Sequence, residues 1–228
     1  MTTQERLALR AELLARIPRW YSPAFHFAAP ALGGAAIVAL ALSRIHDLQP
    51  WQAACVPLFL LVSNAVEWHA HRGLLHRPAW PLEGLYRMHA KVHHAVFIPE
   101  DMAIRDRREL QRVLMPAWGM FAILAACSPV AVVLLLAGVP NLAALWVATA
   151  VAYVLGYEWL HLAYHLPAGG RIGRLRAIAW LRRHHQRHHA PELMLRWNFN
   201  VTVPIWDYVR GTVWRPGSAA TQTLPRGA

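Results

Sequence analysis

Two long stretches of the chain carry almost no charge, and their lengths decide the architecture. Residues 113–157 are 45 consecutive positions without Asp, Glu, Lys or Arg. A membrane-spanning helix uses about 20 apolar residues, so this run predicts two spans with a turn near Pro140-Asn141. Residues 26–66 are 41 positions whose only formal charges are Arg44 and Asp47, and both fall midway, in residues 43–50, where another hairpin would turn. A very apolar buried core is the competing reading, and 45 uncharged residues in a row argue against it. The pattern predicts an all-α integral membrane protein with four transmembrane helices in two hairpins, 26–66 and 113–157. Residues 67–112 and 158–215 form a histidine-rich helical cap, all within a single domain over 1–215.

At the N-terminus, Thr2 and Glu5 have capping-box spacing, and Leu7, Leu14 and Ile17 recur near the helical period. Residues 1–20 therefore predict an interfacial helix closed by Pro18, with Trp20-Tyr21 at the membrane–water boundary; a solvated helix would read much the same. Glu5, Arg6, Arg10, Glu12 and Arg16 leave no continuous apolar core, so the segment is not a signal peptide. Residues 216–228, rich in Gly, Ala, Thr and Pro, predict a flexible tail.

Composition supports the membrane reading. Hydrophobic residues make up 56% of the 228 and charged residues 15%, which excludes a disordered chain and disfavours an ordinary soluble domain. Two cysteines, both in apolar runs, cannot build a disulfide scaffold. If both hairpin tips face one side, that side holds Arg44 and Asp47, and the other side holds the whole net charge of +11. The positive-inside rule then places the termini and the histidine segments in the cytoplasm, and the small four-span chain with its Arg/Ala/Leu-rich usage and single lysine, Lys91, fits the inner membrane of a bacterium. The basic balance fits a collar facing anionic headgroups. Without an aromatic-interleaved basic groove, it does not imply nucleic acid.

Histidine is the anomaly. Of 14, 12 lie in residues 69–94 and 161–189. They form His71-x4-His76, His89-x3-His93-His94, His161-x3-His165 and His185-x2-His188-His189. Neutral imidazole is a common ligand for iron, zinc, copper and nickel, and spacings of three and four put ligands on one helix face. His71 and His76 break that rule, since five residues turn an α-helix by about 140°; Gly73 or a helix end between them would bring both inward. One histidine near a membrane is usually interfacial, but ten at these spacings point to metal. His26 and His46 sit at hairpin ends and read as interfacial, whereas His69 and His184 adjoin the boxes as alternative ligands. A weak echo links the halves, Glu67-Trp68 before the first histidines and Glu158-Trp159 before the third box, with His93-His94 and His188-His189 closing each. It suggests that each half contributes equivalent parts to one site.

This series resembles the fatty acid hydroxylase/sterol desaturase superfamily of integral-membrane di-iron enzymes. The resemblance runs from about Glu67 to Thr212, through Tyr86-Arg87-Met88-His89 and the NFNVTVPIWD stretch of residues 198–207 with Gly211-Thr212. It implies two irons held by His71, His76, His89, His93, His94, His161, His165, His185, His188 and His189. Dioxygen would be the co-substrate, and zinc would be able to substitute on overexpression. The implied reaction is hydroxylation of an aliphatic C–H bond in a lipid, above all a fatty acyl chain, or desaturation at the same site. A sterol-type oxidase and a carotenoid hydroxylase share that chemistry.

Around the ligands, Glu67 and Glu158 lie one helical turn before His71 and His161 and are candidates to accept ring N–H groups; each also fits a carboxylate solvated at the membrane surface. Asn198 and Asp207 are candidates to orient a ligand or a water. Asn200 stands where the family commonly has Gly. No cysteine cluster, dinucleotide fingerprint, haem or flavin signature is visible, so electrons are expected from a separate ferredoxin, or a cytochrome with its reductase, docked on the basic collar. A membrane metal-binding or transport protein is the alternative from another class, but transporters usually place ionisable groups deep in the bilayer. A soluble zinc hydrolase conflicts with the hydropathy and would leave most of the histidines surplus.

Overall fold

The computed structural model describes residues 2–116 and 118–218; of the tail expected over 216–228, positions from 219 onward lie outside the described residues. Among the described residues the protein is helical, with no β-strand. Its helices are α1 (Thr3–Ala15), α2 (Pro23–Leu42), α3 (Pro50–Ala53), α4 (Val56–Ala70), α5 (Glu83–Tyr86), α6 (His94–Val96), α7 (Leu110–Val113), α8 (Gly119–Leu136), α9 (Pro140–Tyr164), α10 (Arg176–His188) and α11 (Ile205–Val209). Two wide π-helical turns, His71–Leu75 after α4 and Arg87–His93 after α5, and a 3-10 turn, Arg107–Glu109, complete the list.

Four helices are long and apolar enough to cross a membrane: α2, the run Pro50–Leu75, α8 and α9. Their starts follow from local chemistry. Ser22 caps α2 by accepting the Phe25 N–H at 3.2 Å, and Pro23 takes the first turn, where its missing N–H costs nothing. The α8–α9 reversal is a Schellman closure, in which Gly138 adopts φ +74° and the Val139 and Gly138 N–H groups bond Leu134 and Leu135 carbonyls. Pro129 inside α8 leaves the Ala125 carbonyl without its helical donor, and the Ser128 hydroxyl supplies one at 2.8 Å.

Helix α9 is the axis of the molecule. Helices α2, α4 and α8 all pack on it, whereas α2 and α4, though they belong to consecutive spans, scarcely touch. Gly34 permits the α2–α9 approach, since a Cβ there would fall 2.9 Å from the Leu155 methyls. Outward faces stay apolar and exposed, with Leu32, Phe121 and Leu136 more than 70% accessible, as a lipid-facing surface requires. At the end away from the histidines, Asn141 ties the two turns together through the His46 backbone and the Gln52 side chain.

At the other end, the chain after α4 and after α9 folds into the histidine cap. Helix α1 has the expected capping box at Thr2 and Glu5, but its buried face is not the leucine stripe. Within the helix Arg6 and Arg10 are the buried positions; of the stripe, Leu7 is exposed, Leu14 half-buried and Ile17, just past the helix end, buried. The helix docks on the cap beside α6 because those guanidiniums find carboxylates and carbonyls there.

Candidate metal centre

The ten box histidines come together as two sets of five. His71, His76, His89, His94 and His188 form one set, and His93, His161, His165, His185 and His189 the other. In each set one nitrogen per ring lies within 4.8 Å of all the rest, and every ring is buried.

Helix geometry sorts them. A π turn closes from i to i+5, so His71 and His76 face the same way, as do His89 and His94. In α9 and α10, His161/His165 and His185/His189 are i, i+4 pairs on one α-helical face. The adjacent pairs divide, because neighbouring helical residues point about 100° apart. His93 joins the set of the second half and His188 the set of the first. The five-residue spacing of His71 and His76 is therefore resolved by the wide turn ending the helix. Gly73 has open space around it, so its small size is not what admits the two rings.

Six rings hold their Nδ1 proton on a backbone carbonyl: His71 on Phe199, His93 on Arg112, His161 on Val113, His165 on Met102, His188 on Trp197 and His189 on Phe97. That fixes the tautomer and leaves Nε2 with a bare lone pair. The consequence is plain for His93 and His189, whose Nε2 atoms face each other at 3.2 Å with no proton between them. Nε2 pairs elsewhere lie 2.9 Å (His71–His89), 2.9 Å (His76–His188) and 3.0 Å (His185–His189) apart. Where both rings are anchored at Nδ1, as in His93 and His189, the lone pairs repel unless a cation binds them, and two nitrogens bound at right angles through bonds of about 2.1 Å are about 3 Å apart. The Nε2 atoms of His161 and His165 are buried without any hydrogen-bond partner. Burial holds the rings outside the spans neutral: His93 is pushed down to about 4, and His76, helped by the neighbouring imidazoles, to about 2. Neutral, orphaned and convergent imidazoles are the donor set a first-row transition metal takes.

Glu67 and Glu158 do not accept from the rings. Glu67 takes the N–H groups of Val201 and Thr202 and the hydroxyls of Thr202 and Tyr153, while Glu158 takes the Met115 N–H at 2.7 Å. Backbone carbonyls, Phe199 in a loop for His71 and Val113 at the end of α7 for His161, already occupy the outer ring nitrogens, and the carboxylates satisfy neighbouring backbone groups instead. Asp207 does the same on a larger scale. Fully buried, it accepts from Phe199 N, Asn200 N, Trp68 Nε1, Thr212 Oγ1 and His184 Nε2. It thereby fixes the stretch whose Trp197 and Phe199 carbonyls orient His188 and His71.

Asn198, at φ +59°, spans the same stretch, donating to the His184 carbonyl and accepting from Trp214 N. Asn200 stays out of the left-handed region and bonds Asn64 O and Asp207 N. His184, occupied by Asp207, and His69, exposed and edge-on to Trp68 at 4.8 Å, belong to neither set. The carbonyls of Phe97, Met102, Arg112 and Val113 carry no side-chain signal and were invisible in the sequence.

A cavity of about 400 Å3 opens beneath the two sets. His71 and His89 of one set and His93 and His161 of the other form its head. Its walls are mostly apolar, from Val66, Ala70 and Leu74 on the α4 side, Ile123 and Ala126 on α8, and Val154 on α9. Trp146, held by its indole N–H on the Cys127 carbonyl at 3.0 Å, also lines it. Trp146 precedes His161 by about 22 Å along α9. Residues 56–212 match the model of the fatty acid hydroxylase family. The chain belongs to that family. The match takes in all ten histidines, both π turns and the Asp207 knot, and begins at the first residue of α4. No curated protein and no solved structure matches this family member.

Proposed function

We propose that the protein is a membrane oxygenase that hydroxylates an aliphatic C–H bond of a lipid, most simply a fatty acyl chain, with each five-histidine set holding one iron. The observation that carries this reading is the cavity: both sets present rings at its head, and its walls suit a hydrocarbon. Two irons with dioxygen supply the oxidising power for an unactivated C–H bond, which side chains alone lack. The balance is one C–H bond, one O2, two electrons and two protons giving one alcohol and one water. Zinc would fill the same imidazoles and, having no redox chemistry, give no oxidation.

The chain's own residues have three tasks. The α4, α8 and α9 walls hold the chain and exclude water. The carbonyl-anchored imidazoles keep Nε2 free at the head. Glu67 and Asp207 fix the loop that aims His71 and His188. Electrons come from a separate ferredoxin or a cytochrome with its reductase, which meets the arginine-rich cap on the cytoplasmic side of a bacterial inner membrane.

Mass spectrometry of lipids from cells expressing wild type and His188→Ala, supplied with an electron donor, tests the reading. The expected result is one added oxygen on a lipid class in wild type, absent in His188→Ala and retained in His46→Ala. A loss of two hydrogens would make the protein a desaturase. No histidine-dependent change in iron-loaded protein would overturn the oxygenase reading.

A further inference from the structure

The outer ring nitrogens of the second set converge on one stretch of chain. His189 bonds Phe97 O at 2.6 Å, His165 bonds Met102 O at 2.7 Å, His93 bonds Arg112 O at 2.8 Å and His161 bonds Val113 O at 3.1 Å. The Ile104 N–H returns a bond to the His165 carbonyl at 2.8 Å. Four of five rings are thus placed by residues 97–113, of which Arg112 and Val113 end α7 while residues 98–106 form neither helix nor strand; a turn at Ile98–Asp101, the Asp101–Arg105 pair and the Glu109 carboxylate are their internal ties, so the segment draws on an outside means of holding its shape.

Helix α1 supplies that means. Arg6 and Arg10 stand one turn apart on its buried face. Arg10 grips both Glu109 oxygens through Nε and Nη2, at 2.5 and 2.6 Å, and donates to Ala103 O at 2.7 Å. Arg6 bonds Asp101 at 2.6 Å and reaches Val96 O at 3.4 Å. Glu109 also accepts the Arg105 and Asp106 N–H groups, and the Arg10 guanidinium lies over the Phe97 ring at 5.4 Å. The first set is braced from another quarter, by Phe199 and Trp197 on the Asp207 knot.

We infer that Arg6 and Arg10 are positioning residues for the second metal set alone: α1 is a latch that holds the carbonyl stretch 97–113 against His93, His161, His165 and His189. The inference rests on the metal reading above. Loss of an outer partner typically weakens a metal site 10–100-fold, and here one arginine reaches several outer partners, through the loop that carries Phe97 and Met102 and through Glu109 at the start of α7.

Iron per chain in purified protein tests it, alongside hydrogen–deuterium exchange. Wild type should hold two irons and Arg10→Ala one, with faster exchange over 97–113 and unchanged exchange over 197–207. Arg10→Ala combined with His165→Ala should still hold one, because both changes strike the same set; combined with His188→Ala it should hold close to none. Arg10→Lys should recover part of the second iron, and Arg16→Ala, which removes only an exposed pair with Glu12, should keep both. Two irons in Arg10→Ala, or loss of both, would overturn the latch while leaving the metal reading intact. Wild type that takes up no iron would instead overturn that reading, and the latch with it.

Discussion

Asp207 touches no box histidine, yet two of them depend on it. It fixes the backbone whose carbonyls hold the His71 and His188 protons. Each hydrogen bond to a buried charge contributes about 1.5–3 kcal/mol, and five donors share this carboxylate. Asp207→Asn should therefore cost at least about 3 kcal/mol of thermal stability in detergent and selectively lower iron in the His71 set. If the double variant with His165→Ala kept a full iron, the selectivity would be disproved. The sequence marked Asp207 as a residue to orient ligand or water. It could not reveal that the orientation passes through carbonyls, because every residue has one. The same blindness applies to Glu67 and Glu158, whose helical spacing pointed at ring N–H groups that backbone carbonyls had already taken.

Elements decide which histidine serves which set. An α-helical reading of His71 and His76 sets them about 140° apart, and only the π turn makes them neighbours; no residue pattern in the chain announced that turn. Gly73→Ala separates the two explanations offered by the sequence. With open space at that position, the variant should keep full iron and lose no stability, and loss of iron would return Gly73 to a direct role. The α1 latch has its own pH signature. Burial raises the Asp101 and Glu109 carboxyls, but the Arg6 and Arg10 bonds with the nearby guanidiniums outweigh it and hold both below their ordinary values. Their contribution is complete above about pH 4, the unfolded carboxyl range, and is lost as pH falls through the lower folded values. Exchange over 97–113 in metal-free protein should therefore stay slow from neutral pH to about pH 4, once corrected for intrinsic rates, and accelerate below it. Faster exchange already at pH 6 would point to some other support.

At the scale of the whole molecule, the four spans were legible because 45 residues without charge leave a chain few other ways to fold. The turns read at residues 43–50 and near Pro140-Asn141 were legible through Arg44 and Asp47 in the first and Pro140 in the second, and the helices break there, after Leu42 and after Leu136. That α9 is the common partner of the other three spans was not, since the outward and inward faces of a lipid-exposed helix are both apolar and carry no periodic contrast. Nor was the cavity, which needs three helices from distant parts of the chain to exist at all.

The division of the histidine pairs has one more consequence. Each half of the chain supplies four histidines to its own set and lends one, and in both halves the lent residue is the first of the adjacent pair, His93 or His188. Two copies of a single unit related by a two-fold axis would give the same count, each copy completing the other. Neither half can fill a set by itself, so the second histidine unit is not a spare: a chain severed between α7 and α8 would have to reunite its pieces before either set reached five.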